Sequence, residues 1–220
     1  MKKLIKMLLV SAVVLFLASG NATASAILEI SNGTDTETVY DLDGDGVVLF
    51  NGSIGSFSIN ITSALTKPAI GSADAPYLYL NTVNVSNGCG TLTMRWTDTD
   101  FYLSPGLSGF YSEIGGTTDG MVTSQVYLDS GNTEFGMATQ LSDFGPFFGR
   151  CPVNGYFSDG STYSGMFSEP FSLTIVACIT QSANDVTSFD TEVSAVPIPT
   201  TLFLFASGLF GLVGIRRKMR

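Results

Sequence analysis

The chain has 220 residues, with ten Lys or Arg against nineteen Asp or Glu, three Cys and no His, for a formal charge of −9. The missing His excludes Ser-His-Asp and Cys-His catalysis and His-ligated zinc, and three Cys cannot build a Cys₄ zinc site. The acidic balance, with no basic cluster in the middle of the chain, argues against nucleic acid as a partner.

Charge is sorted along the chain. Lys2, Lys3 and Lys6 open it, and Arg216, Arg217, Lys218 and Arg220 close it. Three bases (Lys67, Arg95, Arg150) against nineteen acids leave the stretch between them at −16. Residues 1–24 read as a signal peptide. A cationic start precedes an apolar run from Met7 to Ala18, too short for a spanning helix. Ala22-Thr23-Ala24 is a small-x-small cleavage site, and Ala24-Ser25-Ala26 is a second. The alternative is a retained N-terminal anchor.

Residues 25–195 form the extracytoplasmic domain of this reading. Apolar and polar residues alternate at 27–31, 37–42, 47–54, 57–62, 77–86, 91–97, 109–114, 121–128, 134–141, 171–180 and 186–194. Turn signals fall at Asn32-Gly33, Asn51-Gly52, Asn87-Gly88, Gly115-Gly116, Asp119-Gly120, Ser130-Gly131 and Asp159-Gly160. Many short strands with short turns predict an all-β fold, an antiparallel β-sandwich that is jelly-roll-like. Residues 181–195 read as a last strand followed by a short tether.

Within this domain, Asp41, Asp43 and Asp45 with Gly46 copy the start of an EF-hand loop, in which alternate carboxylates face a hard cation. Gly52 stands where such a loop needs a bidentate Glu, and the flanks are strands. A partial Ca²⁺ site and a plain Asp/Gly-rich turn therefore both stand. No other cofactor is expected. Asp98, Asp100, Asp119, Asp129, Glu134 and Asp143 could supply a carboxylate pair for glycoside hydrolysis, but no motif joins them, and no catalytic residue is assigned. Trp96 shares the apolar side of Leu92 and Met94, which makes it a core residue. Trp96 with Tyr77, Tyr79, Tyr102, Tyr111, Tyr127, Tyr156 and Tyr163 raises the idea of a sugar-stacking platform, core packing being preferred for Trp96, and the exposed Thr, Ser and Asn faces are the alternative sugar contact.

Cys89, Cys151 and Cys178 enter an oxidising compartment, where one disulfide leaves one thiol over. Cys151–Cys178 is the expected pair and Cys89–Cys151 its alternative. Loop closure makes the former worth about 3 kcal/mol.

The C-terminus reads Val196-Pro197-Ile198-Pro199, then an uncharged stretch over 200–215, then the basic tail 216–220. Sixteen helical residues span about 24 Å, which crosses a bilayer if the basic flank snorkels. The prolines precede the helix and the tail stays cytoplasmic. A buried helix of a soluble fold is the alternative.

Val196-Pro197-x-Pro199, the run Leu204-Phe205-Ala206-Ser207-Gly208-Leu209-Phe210-Gly211-Leu212, and the closing Arg216-Arg217 resemble the PEP-CTERM sorting signal over residues 196–220. Ile198 replaces the usual Glu, as in a Val-Pro-Leu-Pro variant of that signal. The resemblance implies an exosortase-type processing enzyme as partner, a cut near 196–199, and an exporter of extracellular polysaccharide. Patches such as Gly88–Thr93, Thr97–Phe101, Ile114–Thr117 and Ser172–Thr174 resemble the ectodomain of many PEP-CTERM proteins, a group that brings no catalytic residues with it.

The expectation is an exported, surface-directed structural or adhesive protein of an extracellular polysaccharide matrix, not an enzyme. It would be held transiently in the inner membrane with its C-terminus in the cytoplasm. The alternative is a carbohydrate-binding module, Ca²⁺-dependent or not, and behind it a glycoside hydrolase.

Overall fold

The structure is a computed structural model that describes residues 26–149 and 155–197. Period-two patterning becomes twelve strands: β1 Ile27–Ser31, β2 Thr36–Tyr40, β3 Val47–Ile54, β4 Phe57–Leu65, β5 Tyr77–Ser86, β6 Gly90–Phe101, β7 Leu107–Thr118, β8 Met121–Asp129, β9 Thr139–Phe148, β10 Gly155–Ser164, β11 Phe171–Gln181 and β12 Val186–Pro197. They form two six-stranded sheets, ordered β2-β1-β6-β11-β8-β9 and β10-β7-β12-β5-β4-β3. Every strand pairing in both is antiparallel. From β5 to β12 the chain alternates between the sheets except at the β8–β9 hairpin, so most pairing there is non-local.

The sheets pack as a sandwich around one apolar cluster fed from both inner faces. Phe110 of β7 meets Phe171 of β11 edge-on at 5.9 Å between ring centroids, joining the sheets at one end. Trp96 is fully buried, as its side of the strand implied, and donates Nε1–H to the Leu65 carbonyl across the sandwich at 3.3 Å. Gln181 of β11 reaches the Val85 carbonyl and Thr187 Oγ1 of the opposite sheet. Such contacts give buried polar groups partners and fix how the sheets sit on each other.

Several local expectations need correction. The run at 134–141 is not a strand from its start: Ser130 to Ala138 lies between strands, and β9 begins at Thr139. Asp129 holds that connection by accepting from Gly131 N–H and from the Thr133 amide and hydroxyl, which outweighs the local alternation. Asn51-Gly52, Gly115-Gly116 and Asp159-Gly160 are not turns but sit inside β3, β7 and β10. At Gly116 the cause is close approach, since a Cβ there would lie 2.6 Å from Phe189 Cβ. No tether occupies 181–195. After a turn in which Asp185 accepts from Ser182 N–H, Thr187, Phe189, Thr191 and Val193 turn inward, and β12 runs to Pro197 in the middle of its sheet.

Val196 and Pro197 are thus the end of a sheet strand, opposite Gly109 and Leu107 of β7. Pro199, Gly208, Gly211, Arg216 and Arg217, the 200–215 stretch and the 1–24 signal lie outside the described residues. Among the described residues no helix is long and apolar enough to cross a membrane.

Candidate functional site

β12 lies between β5 and β7, and its outward residues alternate as Ser188, Asp190, Glu192 and Ser194. Register sets their neighbours. Tyr79 of β5, Glu192 of β12, Glu113 of β7 and Gly160 of β10 form one row across four strands. Tyr77, Ser194, Tyr111 and Thr162 form the next row. Asp190 lies opposite Gly115, which faces Ser158. The outer face of this sheet therefore gathers three tyrosines and three carboxylates from segments up to 115 positions apart.

The patch is concave. A cleft of about 490 Å³ is lined by Tyr79, Tyr111, Glu113, Asp190 and Glu192, with Gly115 and Gly160 beneath the β7–β10 side. Those two glycines have no side chain to fill the space. A Cβ on Gly160 would stand 2.6 Å from Tyr111 Oη. The Asp159-Gly160 and Gly115-Gly116 signals, which suggest turns in the sequence, thus help to hollow the cleft.

Two phenols are committed to the acids. Tyr77 donates to Glu192 Oε2 at 2.5 Å and Tyr111 donates to Glu113 Oε2 at 2.9 Å. Burial, and then the hydrogen bond and charge of Glu192, push the Tyr77 phenol far above its usual range. Burial and the charges of Asp190, Glu192 and Glu113 push up Tyr79. At Tyr111 the hydrogen bond to Glu113 leads the same upward shift. All three remain protonated at neutral pH. Glu192 is raised above the ordinary glutamate range, first by burial and then by the charges of Glu113 and Asp190, against the opposing hydrogen bond from Tyr77. Tyr77 and Tyr79 lie 6.3 Å apart between ring centroids.

Of the tyrosines named as a platform, Tyr77, Tyr79 and Tyr111 come together here. The acids Glu113, Asp190 and Glu192 were not singled out in the sequence. Their only local signal is that they share the outward parity of their strands. The carboxylates that were singled out serve structure. Asp98 is fully buried, paired with Lys67 at 2.8 Å and accepting from Thr66 Oγ1 at 2.7 Å and Thr99 N–H at 2.7 Å. Burial raises Asp98 and lowers Lys67, whose ammonium also sits 3.7 Å from the Phe101 ring centroid. Asp100 accepts from Asn132, Asp119 from Val186 N–H, and Asp143 from Gln125. Glu134 belongs to the turn before β9.

Asp41, Asp43 and Asp45 do converge, with one oxygen of each within 4.8 Å of the others. Asp41 already accepts Gly44 N–H and Gly46 N–H, at 2.9 Å each, and Asp45 accepts Val47 N–H at 2.8 Å. Backbone amides thus engage two of the three carboxylates. Cys178 lies on the outer face of its sheet, 3.6 Å from Thr93 Oγ1, and Cys89 is exposed. Cys151, and with it the expected Cys151–Cys178 bridge, lies outside the described residues.

No family model matches the chain, and no curated protein matches it. Solved structures with a related trace include the K1 cleaved adhesin domain of Lys-gingipain from Porphyromonas gingivalis W83. It is 16% identical, with 70% of this chain and 99% of that one covered, at a TM-score of 0.31. TmCBM61 in complex with β-1,4-galactotriose is 7% identical, with 67% and 92% covered, at 0.31. The enzymatically active domain of Bacteriophage CBA120 tailspike protein 4 is 10% identical, with 69% and 19% covered, at 0.32. Likeness at this level carries no functional argument, which rests instead on the cleft.

Proposed function

We propose that this protein is an exported adhesive component of an extracellular polysaccharide matrix, which contacts glycan through the outer face of the β5–β12–β7–β10 sheet. The observation that carries the reading is the pair of tyrosine–glutamate hydrogen bonds, Tyr77–Glu192 and Tyr111–Glu113, at the cleft. Aromatic faces beside fixed polar groups in a shallow, preformed depression suit a sugar, which offers apolar C–H faces and polar edges. The strand order from β5 to β12 is jelly-roll-like in this reading, and it leaves that sheet face open.

Delivery in this reading uses the 1–24 signal and the PEP-CTERM-like 196–220 segment, with exosortase cleavage near 196–199 after a transient stay in the inner membrane. Its support is the order of proline pair, apolar stretch and basic tail in the sequence.

Binding without turnover fits the geometry better than hydrolysis does. Glu113 and Glu192 share one cleft, as a hydrolase pair would, but each has one oxygen committed to a tyrosine hydroxyl of the protein itself. A glycan array run with and without Ca²⁺ tests the contact role. Saturable binding abolished by Tyr79→Ala supports it, and no saturable binding in either condition ends it. Mass spectrometry of the mature termini tests delivery, and an intact Arg220 on all exported molecules would remove the exosortase step.

A further inference from the structure

Carboxylates dominate the charge of the cleft, beside the Tyr79 and Ser158 hydroxyls. Its carboxylates only accept hydrogen bonds, and the Tyr77 and Tyr111 hydroxyls already donate to them. The described residues hold two cationic side chains. Lys67 is buried against Asp98, and Arg95 is paired with Glu29 and lies over the Phe135 ring. Neither lines the cleft.

We propose that the cleft takes the protonated primary amine of an amino sugar, so that the glycan this face contacts carries free, unacetylated amino groups. The inference rests on the glycan-contact reading above and narrows its ligand class. An ammonium brings three donors and no acceptor, the complement of the carboxylates Glu113, Asp190 and Glu192 in the lining. Tyr79 and Tyr111 contribute aromatic rings to the same lining, and a cation is drawn to aromatic rings. Glu113 and Glu192 lie directly opposite each other, so one positive group placed between them relieves a repulsion built into the free protein. Burial and the charges of Glu113 and Asp190, which hold Glu192 above its usual range, act against its charged form. A bound ammonium reverses that balance. Uronate-bearing polymers are repelled by the same three acids.

The test is calorimetric titration of the full chain, purified in mild detergent, with a β-1,4-linked glucosamine tetramer, its fully N-acetylated counterpart and a lysine tetrapeptide. The glucosamine tetramer should bind at least roughly tenfold tighter than the N-acetylated form. Glu192→Gln and Glu113→Gln should each weaken it by roughly tenfold. Glu37→Gln removes the same charge from β2 in the other sheet and should leave binding unchanged, which separates the cleft from the general attraction of an acidic protein for a polycation. Equal or tighter binding of the N-acetylated tetramer overturns the amine assignment and leaves the glycan reading standing. A lysine peptide that binds as tightly, with the same loss in Glu192→Gln, also overturns it, because the site then reads charge alone. Silence from all probes and from the array takes both readings down.

Discussion

Glu113 on β7 and Glu192 on β12 face each other directly across a strand pair, and each accepts the hydroxyl of a different tyrosine. Like charges at opposed positions of a sheet destabilise it, by roughly 0.2–1 kcal/mol on the scale of cross-strand pairs. The tyrosine hydroxyls offset part of that cost while keeping the carboxylates at the surface of the cleft. The arrangement trades some stability for a concentrated negative site.

The first expectation is that Glu192→Gln stabilises the fold. The amide keeps an acceptor for Tyr77 and removes the charge that faces Glu113 and Asp190. Tyr79, Tyr111 and Asp159 are the other ionisable groups lining the cleft. At pH 7 the gain should reach up to about 1 kcal/mol in urea melts. The sign with pH follows from the raised value of Glu192. Its contribution is fully present below the ordinary glutamate value of 4.5 and is lost as pH rises through the folded-state value. Wild type and variant should therefore converge in acid. A variant less stable than wild type at pH 7 would contradict the balance of charges assigned to the cleft.

Gly160→Ala probes the floor of the cleft. The backbone at Gly160 needs no left-handed conformation, and β10 is an edge strand, so alanine is tolerated by the sheet. Its methyl would meet Tyr111 Oη at 2.6 Å and force the ring aside, breaking the hydrogen bond to Glu113. Stability should change by less than about 1 kcal/mol, the usual scale for exposed positions. Saturable glycan binding should drop several-fold. Unchanged binding with an unchanged melt would mean that Tyr111 does not touch ligand.

Far from the cleft, Lys67 and Asp98 give the largest expected stability effect. Lys67→Met leaves a fully buried carboxylate with only Thr66 Oγ1 and Thr99 N–H as partners. Breaking one side of such a pair costs about 3–5 kcal/mol. Burial raises Asp98, so the penalty falls as pH drops through its folded-state value. Adding Asp98→Asn to Lys67→Met should recover part of the loss at neutral pH. Chemical melts of the single and double variants decide this, and a single-variant loss below about 1 kcal/mol would show that water reaches the pair.

Much of the sandwich was legible because its strands obey period two, and Leu92, Met94 and Trp96 bury together as that period requires. Glycine misled it. Asn51-Gly52, Gly115-Gly116 and Asp159-Gly160 have the composition of turns yet lie within strands. Glycine marks both chain reversal and close approach, and the sequence does not distinguish the two. The candidate site was less legible still. Tyr77, Tyr111 and Glu192 are neighbours only because β12 inserts between β5 and β7, and strand order in a sandwich is set by long-range packing that no local pattern encodes. The named acids Asp98, Asp100 and Asp119 had the right chemistry and the wrong neighbours.

The Asp41–Asp43–Asp45 loop invites a test that separates architecture from ion binding. Asp41 accepts two loop amides, and one belongs to buried Gly46, which packs against the Thr66 and Lys67 backbone. Asp41→Ala leaves that buried N–H without its acceptor and should cost about 1–3 kcal/mol, equally in Ca²⁺ and in chelator. Asp43 is exposed, so Asp43→Ala should fall within about 0.5 kcal/mol of wild type. A cation held by all three carboxylates would produce another pattern. Wild type would melt higher in Ca²⁺, by an amount that grows with concentration, and both variants would lose that increment. Thermal melts of the three proteins at several Ca²⁺ concentrations discriminate the two. The hydrogen bonds already made by Asp41 and Asp45 favour the first outcome, in which the loop is a turn stapled by its own side chains.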